Sequence, residues 1–181
     1  MTRPAAGIFW FTGLSGSGKT TLSQAVAEQL AARGRACLVL DGDTLRAGLC
    51  ADLGYSPEDR FENIRRAGEM ARLAALQNQI CLCAFITPYE EMRARLRQRL
   101  GGLYHEIYLR CPLAACIKRD PKHNYQRARQ GLMPGYTGLD APYEPPTAPD
   151  LCVETDRQPI AACVQKIADY IWEVSASRFE P

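Results

Sequence analysis

Gly13 to Thr20, within "GLSGSGKTT", follows the spacing G-x-x-x-x-G-K-[ST]. Glycines at such positions let main-chain N–H groups curl around a phosphate without Cβ clashes. A helix starting there turns its positive N-terminus on the same anion. Lys19 then reaches the β- and γ-phosphates of a nucleoside triphosphate, and Thr20 offers a hydroxyl to Mg2+. The ATP-binding set read from this run is Gly13, Leu14, Ser15, Gly16, Ser17, Gly18, Lys19, Thr20 and Thr21. A dinucleotide fingerprint is set aside, because Thr21 stands where G-x-G-x-x-G needs its third glycine.

A second apolar run ends in "LDGDTLR", with Asp41 and Asp43 two residues apart. At the carboxyl end of a strand beside a phosphate loop, both acids reach one site. One can organise Mg2+ through water while the other accepts a proton from an acceptor hydroxyl. The run "ICLCAFIT" holds no acid where a motor-type ATPase would carry one, which favours a small kinase and leaves Asp41 and Asp43 as the acids for the chemistry. Arg60 and Asn63, three apart, share one side of a helix, with Arg46 before them and Arg66 after. Converging guanidiniums suit a second anionic group beyond the transferred phosphate.

These residues need a scaffold, and the hydropathy pattern supplies one. "GIFWFTG", "ACLVLD", "ICLCAFIT", "YHEIYLRC" and "LCVET" read as five strands. A helix is predicted over 19–32, with Leu22, Val26 and Leu30 at helical spacing. Ser56-Pro57-Glu58-Asp59 is a helix start, followed by a stripe of Phe61, Ile64, Gly68, Ala71 and Ala75. Residues 90–100 read as a charged, solvated helix whose arginines 93, 95, 97 and 99 point around the cylinder, with a Glu91–Arg95 pair. A last helix spans about 159–174, with Ile160, Val164, Ile167 and Ile171 on its core face. Alternating strands and helices predict an α/β fold of the P-loop kinase type: a parallel five-stranded sheet flanked by helices. One domain over 1–181 is expected. Residues 120–149 show little periodicity and many glycines and prolines, and their basic start marks them as a mobile lid.

The 22 basic and 20 acidic residues give a net charge of +2, which excludes wholesale nucleic-acid binding as a function. The basic residues between 110 and 129 instead suit a small anionic ligand. The N-terminal apolar run is too short for a membrane span. The eight cysteines form no C-x-x-C pair, and two histidines are too few for a Cys/His zinc site. No signal-peptide pattern is read, so a reducing cytoplasm and free thiols are expected.

With these residues in place, the chain resembles the adenylyl-sulfate (APS) kinases. The resemblance rests on "GLSGSGKTT", "LDGDTLRAGLCADLGYSPEDRFENIRRAGEMA", "FITPYEEMR", "RDPKHNYQRARQG" and "GYTGLDAPYEPPTAPDL". It implies transfer of the ATP γ-phosphate to the ribose 3′-hydroxyl of APS, giving PAPS, with Mg2+ and from a homodimer. By position it assigns Asp43, with Asp41 nearby, to the acceptor hydroxyl and the metal. It gives Arg46, Arg60 and Asn63 the phosphosulfate side, and makes Tyr55 and Tyr136 an aromatic pair around the acceptor adenine. Ile86, Thr87, Lys122 and Gly135 belong to the acceptor pocket, and Arg119 lies against the ATP adenine. Direct in-line transfer needs no protein nucleophile, so Thr87 is read as a wall residue.

The chain departs from the family pattern in places. Tyr55 and Tyr136 replace phenylalanines, Thr87 replaces a serine, and "DPKHNY" replaces "DPKGLY". Glu90 stands where "SPYR" has its arginine, reversing a charge near the acceptor side. That change leaves open a related P-loop kinase acting on another modified nucleotide or small hydroxyl compound. A non-catalytic nucleotide-binding domain is a further reading, disfavoured by Lys19, Thr20, Asp41, Asp43, Arg60 and Asn63 occurring together.

Overall fold

The computed structural model describes residues 6–176; the first and last five residues of the expected domain lie outside the described residues. Five strands, β1 (Gly7–Thr12), β2 (Cys37–Asp41), β3 (Ile80–Ala84), β4 (Tyr104–Arg110) and β5 (Leu151–Glu154), form one parallel sheet in the order β2-β3-β1-β4-β5. The helices are α1 (Lys19–Ala32), α2 (Gly42–Arg46), α3 (Pro57–Leu76), α4 (Glu90–Leu100), α5 (Leu113–Arg119), α6 (Asn124–Arg129) and α7 (Ile160–Ala176). The strand order reverses beside β1, and the loops leaving β1, β2 and β3 meet there, where ligands bind in open α/β sheets.

Alternation along β1 divides the core. Ile8 and Trp10 join Cys81, Cys83, Ile64, Ala71 and Leu96 on the α3/α4 face. Phe9 and Phe11 join Val26, Leu30, Ile107, Ile167 and Ile171 on the α1/α7 face. Both faces are covered, so the strands read as continuous apolar runs. Gly68 lets α3 approach α4 closely, since a Cβ there would come 2.8 Å from Leu96 Cδ2. Ser56 caps α3 as expected, its hydroxyl accepting from Asp59 N at 3.1 Å.

Four local expectations are corrected. The third strand ends at Ala84 rather than Thr87, opposite Phe11 and the end of β2 at Asp41, and Thr87 beyond it turns into the left-handed region (φ +46°). Arg93 is not solvated: α4 buries Met92, Arg93, Leu96 and Leu100, and only 1 % of the Arg93 side chain is exposed. Ile160 is 60 % exposed at the start of α7, so the core face begins at Cys163 and Val164. The 120–149 segment is not wholly irregular, since Asp120 receives Tyr125 N and Gln126 N at 3.1 and 3.0 Å and starts α6. The Glu91–Arg95 pair forms at 2.5 Å with both side chains exposed, as expected.

Candidate active site

The loop Gly13–Gly18 joins β1 to α1. Lys19 Nζ bends back over it and donates to Gly13 O at 2.9 Å and Leu14 O at 2.7 Å. Burial pulls the Lys19 ammonium down to about 8, with Cys116, Asp41 and Asp43 pulling the other way. Gly16 takes φ +77°, and a Cβ on it would lie 2.9 Å from the carbonyl of Cys116. The loop is therefore pressed against α5, and only glycine fits. Tyr125 of α6 closes its outer side, donating to Ser15 O at 3.0 Å.

Asp41 ends β2 and caps α2, one carboxylate oxygen accepting Asp43 N at 2.9 Å. Its other oxygen takes the Thr20 hydroxyl at 2.7 Å. This hydroxyl–carboxylate pair has the oxygen chemistry Mg2+ prefers. Among the described residues, no cluster of three or more His, Cys, Asp or Glu side chains could hold a metal by itself. Such a pair fits Mg2+ that arrives with the phosphates, sharing its shell between protein, nucleotide and water. Asp43 projects from α2 and pairs with Lys122 of the 120–149 segment. That contact pushes the Lys122 ammonium up.

Beyond the acids lies a basic and aromatic wall. The Arg46 guanidinium lies over the Tyr55 ring, 4.3 Å from its centre, and donates to Gly54 O at 2.8 Å. Arg60 donates to Tyr55 O (2.9 Å), Thr137 Oγ1 (2.6 Å) and Gly135 O (2.7 Å), tying α3 to the 120–149 segment. Asn63 is buried, and its Oδ1 has no hydrogen-bond partner in the protein. An orphaned acceptor on a cavity wall suits a ligand donor. Thr87 Oγ1 accepts the Trp10 indole N–H at 2.8 Å, which keeps that hydroxyl buried in the wall. Tyr136 packs edge-on against Tyr125, with ring centres 5.2 Å apart. Arg66, by contrast, is taken up by Asp52 and Glu62 at 2.6 and 2.9 Å and does not line the cavity.

One cavity of about 650 Å³ collects these groups. Its lining includes every site residue predicted from sequence except Arg66, Gly13, Leu14 and Gly135; the carbonyls of Gly13 and Leu14 bond Lys19, and that of Gly135 bonds Arg60. Arg119 lines the phosphate-loop end and donates to Gly16 O at 3.3 Å and Thr155 O at 2.5 Å. Sequence reasoning missed Thr155 and Gln158, in the β5–α7 connection, and Ile160 and Cys163, in the first turn of α7, which also line the cavity. Their signal was position, since they follow the carboxyl end of a parallel strand. Glu90 is absent from the lining: its carboxylate meets Arg93 at 2.5 Å. The expected reversal of charge near the acceptor is thus met by Arg93, with the Glu90 side chain itself exposed outside the cavity. His123 has φ +54°, which explains why a glycine suits that position.

The protein-family model for adenylylsulphate kinase matches residues 5–154. The adenylyl-sulfate kinase of Bacillus pumilus is 47% identical over 169 residues, spanning 93% of this chain and 86% of that protein. The APS kinase of Mycobacterium tuberculosis, solved in complex with AMPPNP and APS, superposes with a TM-score of 0.87 at 41% identity, covering 93% of this chain and 98% of that one. A hexameric APS kinase from Thiobacillus denitrificans superposes with a TM-score of 0.68 at 30% identity, over 91% of this chain and 28% of that one.

Proposed function

The chain belongs to the adenylylsulphate kinase family, and from that premise we propose how its cavity residues divide the work. The chain is an ATP-dependent kinase that phosphorylates APS at its ribose 3′-hydroxyl, giving PAPS and ADP. The observation that carries the assignment of roles is a single cavity joining a phosphate loop, two carboxylates and a basic aromatic wall.

In this division Lys19 and the amides of the loop hold the triphosphate, with Arg119 and the β5–α7 connection beside the ATP base. Thr20 and Asp41 hold Mg2+, which when bound neutralises charge on the phosphate oxygens. Arg46, Arg60 and the amide NH2 of Asn63 hold the phosphosulfate of the acceptor, whose oxygens only accept, and Tyr55 and Tyr136 hold its flat base. Ile86, Thr87 and Gly135 shape the wall around it. Asp43 accepts the proton of the 3′-hydroxyl as the oxygen bonds the γ-phosphorus and the bond to the β-phosphate oxygen breaks. Lys122 must leave Asp43, or share it, for that hydroxyl to approach. Residues 120–149 serve as the lid that excludes water, so hydrolysis of ATP does not compete with transfer.

A single domain, a homodimer and a cytoplasmic location complete the proposal. Among the described residues no helix is long and apolar enough to cross a membrane. The eight cysteines are free thiols, in keeping with a reducing compartment. The near-balanced charge supports a small nucleotide partner rather than a nucleic acid.

The test is ADP release by the purified chain with APS set against a panel of other nucleotides, and product analysis by phosphorus NMR. Release should require APS, yield a 3′-phosphate and vanish in Lys19→Ala. Equal release with unrelated nucleotides would overturn the acceptor assignment.

A further inference from the structure

We propose that Arg93 is a positioning residue for the acceptor side of the cavity, fixing the wall at 86–88 and the end of the lid segment in one arrangement. This rests on the acceptor reading given above. Arg93 does not line the cavity, so it acts through the residues that do.

The Arg93 guanidinium is buried, and each of its nitrogens faces a different part of the chain. Nη1 donates to Thr87 O at 2.9 Å. Nη2 donates to Glu144 O at 2.7 Å and to the Glu90 carboxylate at 2.5 Å. Nε lies 3.0 Å from the carboxylate of Glu106, on β4. Glu106 is itself buried and shares Arg97 with Asp150, both contacts at 3.1 Å. The buried cation is therefore paired, as a buried charge must be.

The two carbonyl contacts give this cation a role beyond packing. Thr87 sits in the left-handed region, which β-branched residues avoid. It is held there from both ends: Trp10 grips its hydroxyl at 2.8 Å and Arg93 its carbonyl. Ile86, Thr87 and Pro88 all line the cavity. On the other arm, Glu144 straps the end of the lid segment onto the same wall. Its N–H donates to Pro88 O at 2.8 Å, and its carboxylate accepts Glu90 N at 2.6 Å. Arg93 joins the wall to the strap with a charged hydrogen bond to each, through Thr87 O and Glu144 O. A lysine would supply charge from one point, without the planar fork that meets both carbonyls and the Glu106 carboxylate at once.

The test is Arg93→Lys in the full chain, with APS and ATP varied separately and amide hydrogen exchange followed in the ligand-free protein. The KM for APS should rise about tenfold, the loss of one charged hydrogen bond, with the KM for ATP unchanged. Exchange should accelerate at 86–90 and 141–145 and stay unchanged in the phosphate loop. Unchanged KM values, or a parallel rise of both with exchange faster throughout, would overturn the proposal. Should Arg93→Lys fail to fold, Glu90→Ala decides, because it removes the exposed carboxylate that holds Arg93 Nη2 and leaves the cavity lining untouched. It should raise the KM for APS about threefold and leave that for ATP alone, and no change would overturn the proposal. If the unaltered chain fails to phosphorylate APS, the functional reading falls, and the exchange comparison still decides the role of Arg93.

Discussion

Lys122, at the start of the 120–149 segment, donates to the carboxylate of Asp43, 79 residues earlier in the chain. Both side chains remain partly open, at 54% and 69% exposure, so the pair stands at the mouth of the cavity rather than inside the core. The acid assigned to the acceptor proton is thereby coupled to the position of the segment assigned as lid.

Asp43→Asn keeps the shape of that side chain and removes its basicity. Turnover should fall by about 10²–10⁴-fold, the range of a lost general base. The KM for ATP should stay within about twofold, since uniform binding is untouched. A pure loss of ATP affinity, read by titration calorimetry, would move Asp43 from chemistry to binding.

Lys19 ties nucleotide affinity to pH. In the ligand-free protein its ammonium is lowered to about 8 by burial, and a bound triphosphate favours the protonated form. Binding then takes up a proton as pH rises through that value, and affinity for ATP should weaken about tenfold between pH 7 and pH 9. The contribution of Lys19 to folding has the opposite sign. Its unfolded form keeps the proton up to 10.5, so between 8 and 10.5 the unfolded chain binds more protons and this group favours the folded state as pH rises. Calorimetry in buffers of different ionisation enthalpy reads the proton uptake directly. An affinity flat across that window would refute the linkage.

Arg60→Ala removes three hydrogen bonds, to Tyr55 O, Thr137 Oγ1 and Gly135 O. The KM for APS should rise at least about tenfold while ATP binding holds. Equal losses for both nucleotides would mean that Arg60 supports the fold as a whole.

Gly16→Ala places a Cβ 2.9 Å from the Cys116 carbonyl on a backbone at φ +77°. The cost should be about 1–3 kcal/mol, lowering Tm by roughly 5 °C. Nucleotide binding should fall with it, because relieving the clash opens the loop. An unchanged Tm would show that the loop is free to move off α5.

The sheet and most of the cavity were legible because they rest on local signals. Five apolar runs, a capped helix start and the Gly13–Thr20 spacing each fall within a short window. Arg93 was misread because its partner is remote: four alternating arginines looked alike until Glu106 on β4 gave two of them, Arg93 and Arg97, a buried carboxylate. A lone acid inside the strand run "YHEIYLRC" was the available clue, since a buried carboxylate requires a cation or a proton. Thr155, Gln158 and Cys163 escaped for the converse reason. Their spacing forms no motif, and only the strand order brings them to the cavity. Glu90 could be recognised in the sequence as a departure, but its direction could not, because that depends on the three-residue step to Arg93 within α4.

The indole that holds Thr87 also equips the protein with an optical reporter. Trp10 is fully buried and stacked on Phe85 at 5.0 Å, with its N–H committed to the acceptor wall. The other tryptophan, Trp172, is 38% exposed, so a soluble quencher such as iodide separates the two signals. Emission surviving the quencher follows the wall itself, and a shift on adding APS would time its movement without any attached dye.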